Sequence, residues 1–209
     1  MSEIDIASGQ VVKTMSGKQF KAALPVSMTV DGPDLFLDTI NSSGKGFSTL
    51  TEVDLASGQV VEELPNGTAS RLTQAIEVLS DGPYVFTVNL GQPQLSANGI
   101  SYGAASLAQI DARTGSIVRV ISGARYDFNG ATAMSVLGHD LYVADAGANA
   151  VTEVDTTTGA LVRVLSGARY GFDGPDGEAV WGDHLYVANG EGNTVTDIEF
   201  GPGPTTVGT

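Results

Sequence analysis

At 209 residues with no cysteine and a net charge of −14, the chain has room for one ordinary core and no disulfide or thiolate chemistry. The acidic balance excludes nucleic acid and anionic membrane surfaces as partners, because both require clustered Lys and Arg. No 18-residue apolar run and no basic-then-apolar N-terminus is visible, so neither a membrane span nor a signal peptide is expected, and the expected location is the cytoplasm.

In chain order, one short phrase keeps returning. It reads Ser-Glu-Ile-Asp at 2–5, Thr-Glu-Val-Asp at 51–54, Ala-Gln-Ile-Asp at 108–111, Thr-Glu-Val-Asp at 152–155 and Thr-Asp-Ile-Glu at 196–199. The first four copies run into a small turn closed by Gly9, Gly58, Gly115 or Gly159, then into a β-branched run. The last residues of successive copies are 44 to 57 residues apart. A strand-rich repeat of that length reads as a propeller blade, since helical repeats would show long apolar stretches of period 3.6.

Each repeat divides into strand-like segments. The first predicts strands over 26–30, 35–37, 50–54 and 60–63, the second over 75–79, 85–89, 107–111 and 117–121. The third reads 134–137, 141–145, 150–155 and 161–165, and the last 177–181, 185–189 and 194–200. Trp181, the single tryptophan, is expected in the core.

The run from Phe172 to Thr196 contains Pro-Asp-Gly, Leu-Tyr-Val-Ala-Asn and Gly-Asn-Thr-Val in succession. It resembles an NHL-type or Tyr-Val-Thr-Asn-type propeller repeat, closely over 122–200 and more loosely over 1–121. The resemblance implies an architecture; the family spans lyases, lactonases, cyclases, surface proteins and interaction scaffolds, so it names no activity. The expected fold is all-β: a four-bladed β-propeller of four-stranded antiparallel blades over 1–200, followed by a flexible tail over 201–209. An N-terminal strand at 10–15 would complete the C-terminal blade and close the ring. Segments 2–6 and 194–200 both read as third strands, so one is surplus; the alternatives are a mere lead-in at the N-terminus or an open ring in which two chains meet edge to edge.

In such a fold the blade-to-blade loops and the second-to-third-strand loops share one face, and here those loops are the long ones. They carry Lys18, Lys21, Lys45, Arg71, Arg125 and Arg169, with Phe20, Phe47, Tyr102, Tyr126, Phe128, Tyr170 and Phe172. That face is relatively basic and aromatic, which suits an apolar, anionic small molecule. Ala-Arg-Tyr-x-Phe occurs at 124–128 and again at 168–172, and its bland reading is a repeat loop whose aromatics plug blade junctions. The insertion over 90–105, with Gln92, Gln94, Asn98 and Tyr102, is a candidate lid or pocket wall.

Glu178 stands where the third repeat has Met134, on the strand nearest the axis, where desolvation could raise a carboxyl pKa. The candidate catalytic residues are therefore Glu178, Tyr102 and Arg169. The candidate substrate-binding residues are Phe20, Lys45, Phe47, Arg71, Gln92, Gln94, Arg125, Tyr126, Tyr170 and Asn189. His139 and His184 fall in tight turns on the opposite face, so no metal site is expected, zinc least of all. Calcium on Glu178, Asn189, Asp145 and Asn89 is the minor alternative. No phosphate-cradling Gly-rich motif and no Gly-x-Ser-x-Gly occurs, so an enzyme here would need no cofactor.

The expected function is binding of a small hydrophobic metabolite, by a monomer or homodimer, with cofactor-independent cyclase, rearrangement or lyase chemistry. The alternatives are a non-catalytic interaction or ligand-binding scaffold, or part of a secreted propeller protein.

Overall fold

The computed structural model describes residues 2–15, 24–40, 48–64, 72, 75–90, 93–96, 99–102 and 104–201. A hairpin of β1 (Ser2–Ile4) and β2 (Val11–Thr14) comes first. A four-stranded sheet follows, formed by β3 (Leu24–Asp31), β4 (Asp34–Ile40), β5 (Ser48–Asp54) and β6 (Val60–Leu64). The second sheet opens with β7 (Ala75–Asp81) and β8 (Tyr84–Asn89); a side hairpin of β9 (Pro93–Ser96) and β10 (Gly99–Tyr102) is then inserted. It finishes with β11 (Ser106–Asp111) and β12 (Ile117–Ile121). The third sheet is β13 (Ala131–Leu137), β14 (Asp140–Asp145), β15 (Ala150–Asp155) and β16 (Leu161–Ser166). The fourth has three strands, β17 (Pro175–Trp181), β18 (His184–Asn189) and β19 (Thr194–Glu199). Every pairing is antiparallel between neighbours in sequence, apart from the inserted hairpin, so each sheet is a meander.

Successive sheets stack face to face through their inner strands: β3 on β7, β7 on β13, β13 on β17. The side-chain alternation of a strand explains why. On β8, Val85 packs with Phe36 and Leu50 of the first sheet, while Phe86 and Val88 pack with Met134, Leu141 and Val143 of the third. On β14, Tyr142 turns the other way, onto Leu185 and Val187 of the fourth. Interior strands thus read as nearly continuous apolar runs because both faces are covered.

The repeated phrase has a local cause. Asp5, Asp54, Asp111 and Asp155 each accept the main-chain N–H three residues on, from Ser8, Ser57, Thr114 and Thr158, at 2.7, 2.7, 2.8 and 2.6 Å. The Ser or Thr hydroxyl bonds the same oxygen and, with that N–H, holds all four carboxyls below their ordinary range. The glycine that follows sits at φ 70, 70, 63 and 69°, a conformation that costs a Cβ-bearing residue. At Gly159 a Cβ would also meet the Arg119 side chain at 2.6 Å, and at Gly58 it would meet Lys13 at the same distance.

Two expectations differ from the structure. Strand β2 pairs with β1 and not with β19, so the outer edge of β19 has no strand partner among the described residues. Ring closure by the N-terminal strand is therefore not what forms; β1 has the same residue pattern as β19 and takes its place beside β2. Trp181 is 74% exposed instead of buried, because it lies on the face of the fourth sheet that no other sheet covers among the described residues. The inserted hairpin β9–β10 went unread for a different reason: its strands are four residues long and lack the alternation of the blade strands.

Leu107, fully buried between the second and third sheets, tests the stacking. Leu107→Ala is expected to cost roughly 2–5 kcal/mol in urea unfolding, whereas Val118→Ala, on an exposed position of β12, is expected to stay within about 0.5 kcal/mol.

Candidate functional site

Where the inner strands meet, the sheets are joined by polar contacts. Between the first and second sheets, Val78 N donates to Ser27 Oγ at 3.1 Å, and the hydroxyls of Thr29 and Ser80 meet at 3.1 Å. Between the third and fourth, Thr132 Oγ1 donates to the Pro175 carbonyl at 2.9 Å, and Ser135 Oγ donates to Glu178 Oε2 at 3.0 Å. Between the second and third, the Met134 N–H donates to Glu77. Two glutamates therefore reach the same inner strand, β13, from opposite neighbours.

Neither carboxyl is satisfied. Glu178 Oε1 and Glu77 Oε2 are shut away from solvent and lack a hydrogen-bond partner, although each residue as a whole is only half-buried. Desolvation is the main cause that lifts Glu178 to about 8, and the charge of Glu77 adds to it against the opposing Ser135 hydrogen bond. Desolvation likewise lifts Glu77 to about 7. The two interact, so the pair and not either residue alone sets how the protons leave. At neutral pH such a pair retains a proton, which makes it a general acid, or a base once that proton has gone.

A third carboxyl of this kind is Asp38 on β4, completely buried, its pKa lifted by desolvation to about 7 against a weak, poorly aligned contact from the Thr39 N–H. Sequence reasoning reached Glu178 and missed Glu77 and Asp38. The repeat register holds the missing signal. Asp38 stands where β8, β14 and β18 have Val88, Ala144 and Ala188, and Glu77 stands where β3, β13 and β17 have Ser27, Ala133 and Gly177.

The duplicated loop motif is built into the blade junctions. Arg125 Nη2 donates to Tyr126 Oη at 2.7 Å, and the buried Tyr126 donates in turn to the Gly159 carbonyl at 2.8 Å. Arg169 and Tyr170 repeat the first contact at 2.6 Å, and each guanidinium lies over its tyrosine ring. Tyr126 stacks on Phe128 and Tyr170 on Phe172, with ring centroids 5.6 and 5.3 Å apart. Thr152 and Thr196 hold the two loops identically, donating to the carbonyls of Tyr126 and Tyr170.

Asn189 spends its amide inside its own sheet, donating to Thr194 Oγ1 and Thr196 Oγ1 and accepting from Asp173 N. Asp145 accepts from Asn129 N at 2.6 Å and Ala148 N at 2.9 Å, which draws two loops so close that a Cβ on Gly147 would overlap the Asn129 carbonyl. Asn89 bonds within its sheet, to Thr87 and Ser106. Asn189 and Asp145 thus commit their oxygens locally, Asn89 only its Nδ2, and no group of three or more His, Asp or Glu comes together among the described residues. Gln94 and Tyr102 lie on the paired strands β9 and β10, in register with Ser101 and Pro93. Phe20, Lys45, Phe47, Arg71 and Gln92 lie outside the described residues.

On the loop-rich face, a cleft of about 230 Å³ is lined by Ala104, Ala105, Gly123, Ala124, Asp127 and Phe128, between the end of the insertion and the first copy of the aromatic motif. No helix among the described residues is long and apolar enough to cross a membrane.

Sheets of this kind, stacked side by side with inner strands converging, occur in several solved structures. The fold is propeller-like. A putative 6-phosphogluconolactonase from Bacteroides uniformis superposes with a TM-score of 0.65 over 96% of this chain and 59% of its own, at 14% identity. Hydrazine synthase from Kuenenia stuttgartiensis superposes with a TM-score of 0.56 over 84% of this chain and 58% of its own, at 20% identity. The chain spans about three fifths of the length of either neighbour, and the likeness is one of fold. No protein-family model matches the sequence, and no curated protein does.

The carboxyl assignments fix a pH dependence. Asp38, Glu77 and Glu178 have folded pKa values above the unfolded ones, so the stability they carry is full below about pH 4 and is lost as pH rises through 7 to 8. Glu178→Gln preserves an acceptor for Ser135 and removes the ionisation. Its melting temperature is expected to come nearest wild type at about pH 4 and to exceed it at about pH 9. A variant less stable than wild type at both pH values would mean that an ionised Glu178 is satisfied in the fold.

Proposed function

We propose that this chain is an NHL-like, small-molecule-binding propeller-type protein, acting in the cytoplasm as a cofactor-independent enzyme of the cyclase, isomerase or lyase type on a largely hydrophobic metabolite. The observation that carries the reading is the carboxyl pair on either side of β13. Glu178 and Glu77 combine buried, unpartnered oxygens with pKa values near neutrality, the state a proton-transferring group requires. Glu178 is the acid or base, Glu77 sets its protonation, and Ser135 fixes its orientation through Oε2; Oε1 is enclosed, so a substrate reaches it only if the seam between β13 and β17 opens.

The loop-face cleft by Phe128 supplies apolar walls for substrate, and Ala104 and Ala105, at the end of the insertion that carries Gln94 and Tyr102, form part of it. Arg125 and Arg169, although bonded to their tyrosines, present exposed cationic groups on this face for an anionic substrate end. A second reading has its own support. The exposed apolar residues on the two outermost sheets, Met28 and Val30 at one end and Trp181 and Val195 at the other, fit an interaction scaffold.

Thermal-shift screening against hydrophobic carboxylic acids and polyketide-like compounds, followed by turnover assays on the hits, separates the two. The enzyme reading expects at least one ligand that raises the melting temperature and is converted. It also expects Glu178→Gln to lower kcat about 100-fold or more while leaving ligand binding nearly intact. Hits converted equally well by Glu178→Gln would refute the role given to Glu178, and a screen without hits would favour the scaffold.

A further inference from the structure

We propose that a second copy of this chain covers the exposed outer face of β3 with its own β17–β19 sheet, so that two copies close head to tail into one ring. The two outermost faces are the two halves of a junction the chain already makes internally. At the junction between the third and fourth sheets, Leu137, Tyr142 and Val151 pack toward Val180, Leu185 and Val187. Strand register carries the first set onto Trp181, Tyr186 and Val195: Leu137 lies opposite Asp140 as Trp181 lies opposite His184, and Ala144 opposite Val151 as Ala188 opposite Val195. It carries the second set onto Val30, Leu35 and Leu37 of the first sheet, of which Val30 is exposed while Leu35 and Leu37 are already buried. Trp181 and Val195 are exposed at one end, and Met28, at 57%, and Val30 at the other.

The free edges match as well. Hairpin β1–β2 occupies, against the first sheet, the position that β11–β12 occupies against the third. Lys13 Nζ donates to the Leu55 and Ala56 carbonyls beside Gly58, as Arg119 lies beside Gly159, and Met15 packs on Leu35 and Val53 as Ile121 packs on Leu141 and Val154. No inner strands accompany the hairpin among the described residues. Where they would lie is a cleft of about 260 Å³, lined by Ser2, Pro25, Val26, Ser27, Met28 and Leu37. The incoming β17 and β18 lie over that cleft and seat side chains in it, and β19 replaces β1 beside β2: the two strands spell one phrase, Thr-Asp-Ile-Glu and Ser-Glu-Ile-Asp. The fourth sheet then gains the outer strand it lacks. The covering surface is this repeat's own because it must match the repeat's side-chain register and supply a strand edge together. Among the described residues, the fourth sheet packs chiefly on the third and the first on the second. Each copy gives one end and receives the other, so the assembly has two-fold symmetry and no open face.

Sedimentation velocity of the wild type across the micromolar range is the test, with Trp181→Asp and Met28→Asp beside it. The expected result is the mass of two chains for wild type and of one chain for each variant, both variants folded by far-ultraviolet circular dichroism. Because the contact is head to tail, an equimolar mixture of the variants retains one intact junction and is expected to recover a two-chain species. Val195→Lys, an exposed position on the same face as Trp181, stands in for Trp181→Asp if that variant fails to fold. A wild type that sediments as one chain throughout, with or without a buried Trp181 by fluorescence, would overturn the proposal. So would a two-chain species insensitive to all three substitutions.

Discussion

An interior sheet of this chain carries apolar residues on both of its faces, so it is stable only between two others. That single constraint, set by Val85, Phe86 and Val88 on β8 and by Leu141, Tyr142 and Val143 on β14, dictates the stack. Meandering strands with short turns keep each sheet local in sequence, and covering both faces then places successive sheets side by side. It also explains why the outermost faces matter: Trp181 and Met28 are exposed for want of a neighbour, and not because the positions favour polar residues.

Exclusion of water from the stack also governs the electrostatics. The chain contains two populations of carboxyls with opposite behaviour. Those of Asp5, Asp54, Asp111 and Asp155 lie in exposed turns, accept two hydrogen bonds each and are held low. Those of Asp38, Glu77 and Glu178 are desolvated, short of donors and pushed up. The difference is environment alone. Polar groups along the inner seam are otherwise neatly paired, as Ser27, Thr29, Ser80 and Thr132 show, so unpaired carboxyl oxygens in the same seam are an exception. Such exceptions cost stability.

The strand pattern was legible because period-two alternation and the Asp-x-x-Ser/Thr-Gly turn are local properties, readable without knowing what packs where. Strand limits were short by one to three residues at several inner ends, where β13 and β17 continue through a bulge at Thr132 and Asp176. Glu178 was legible by comparison with Met134, since one repeat broke an apolar pattern that another kept. Glu77 and Asp38 called for the register of all four repeats, which only the pairing of strands supplies. The order of sheets at the ends was not legible, because β1 and β19 share one phrase and residue pattern cannot say which of two equal strands pairs with β2. Trp181 was misplaced for the same reason: hydrophobicity predicts burial only when something is there to cover it.

The account stands or falls on the protonation of the inner carboxyls, and carbon-13 nuclear magnetic resonance reads it directly. Labelling glutamate at the carboxyl carbon, assigning Glu77 and Glu178 by substitution and titrating the folded protein gives both pKa values without reference to activity or stability. Two resonances that change near pH 7 and 8, each shifting when the other residue is replaced by glutamine, are the result predicted. Titration of both with the exposed glutamates, near about pH 4 to 5, would show that water reaches the seam and would contradict the account.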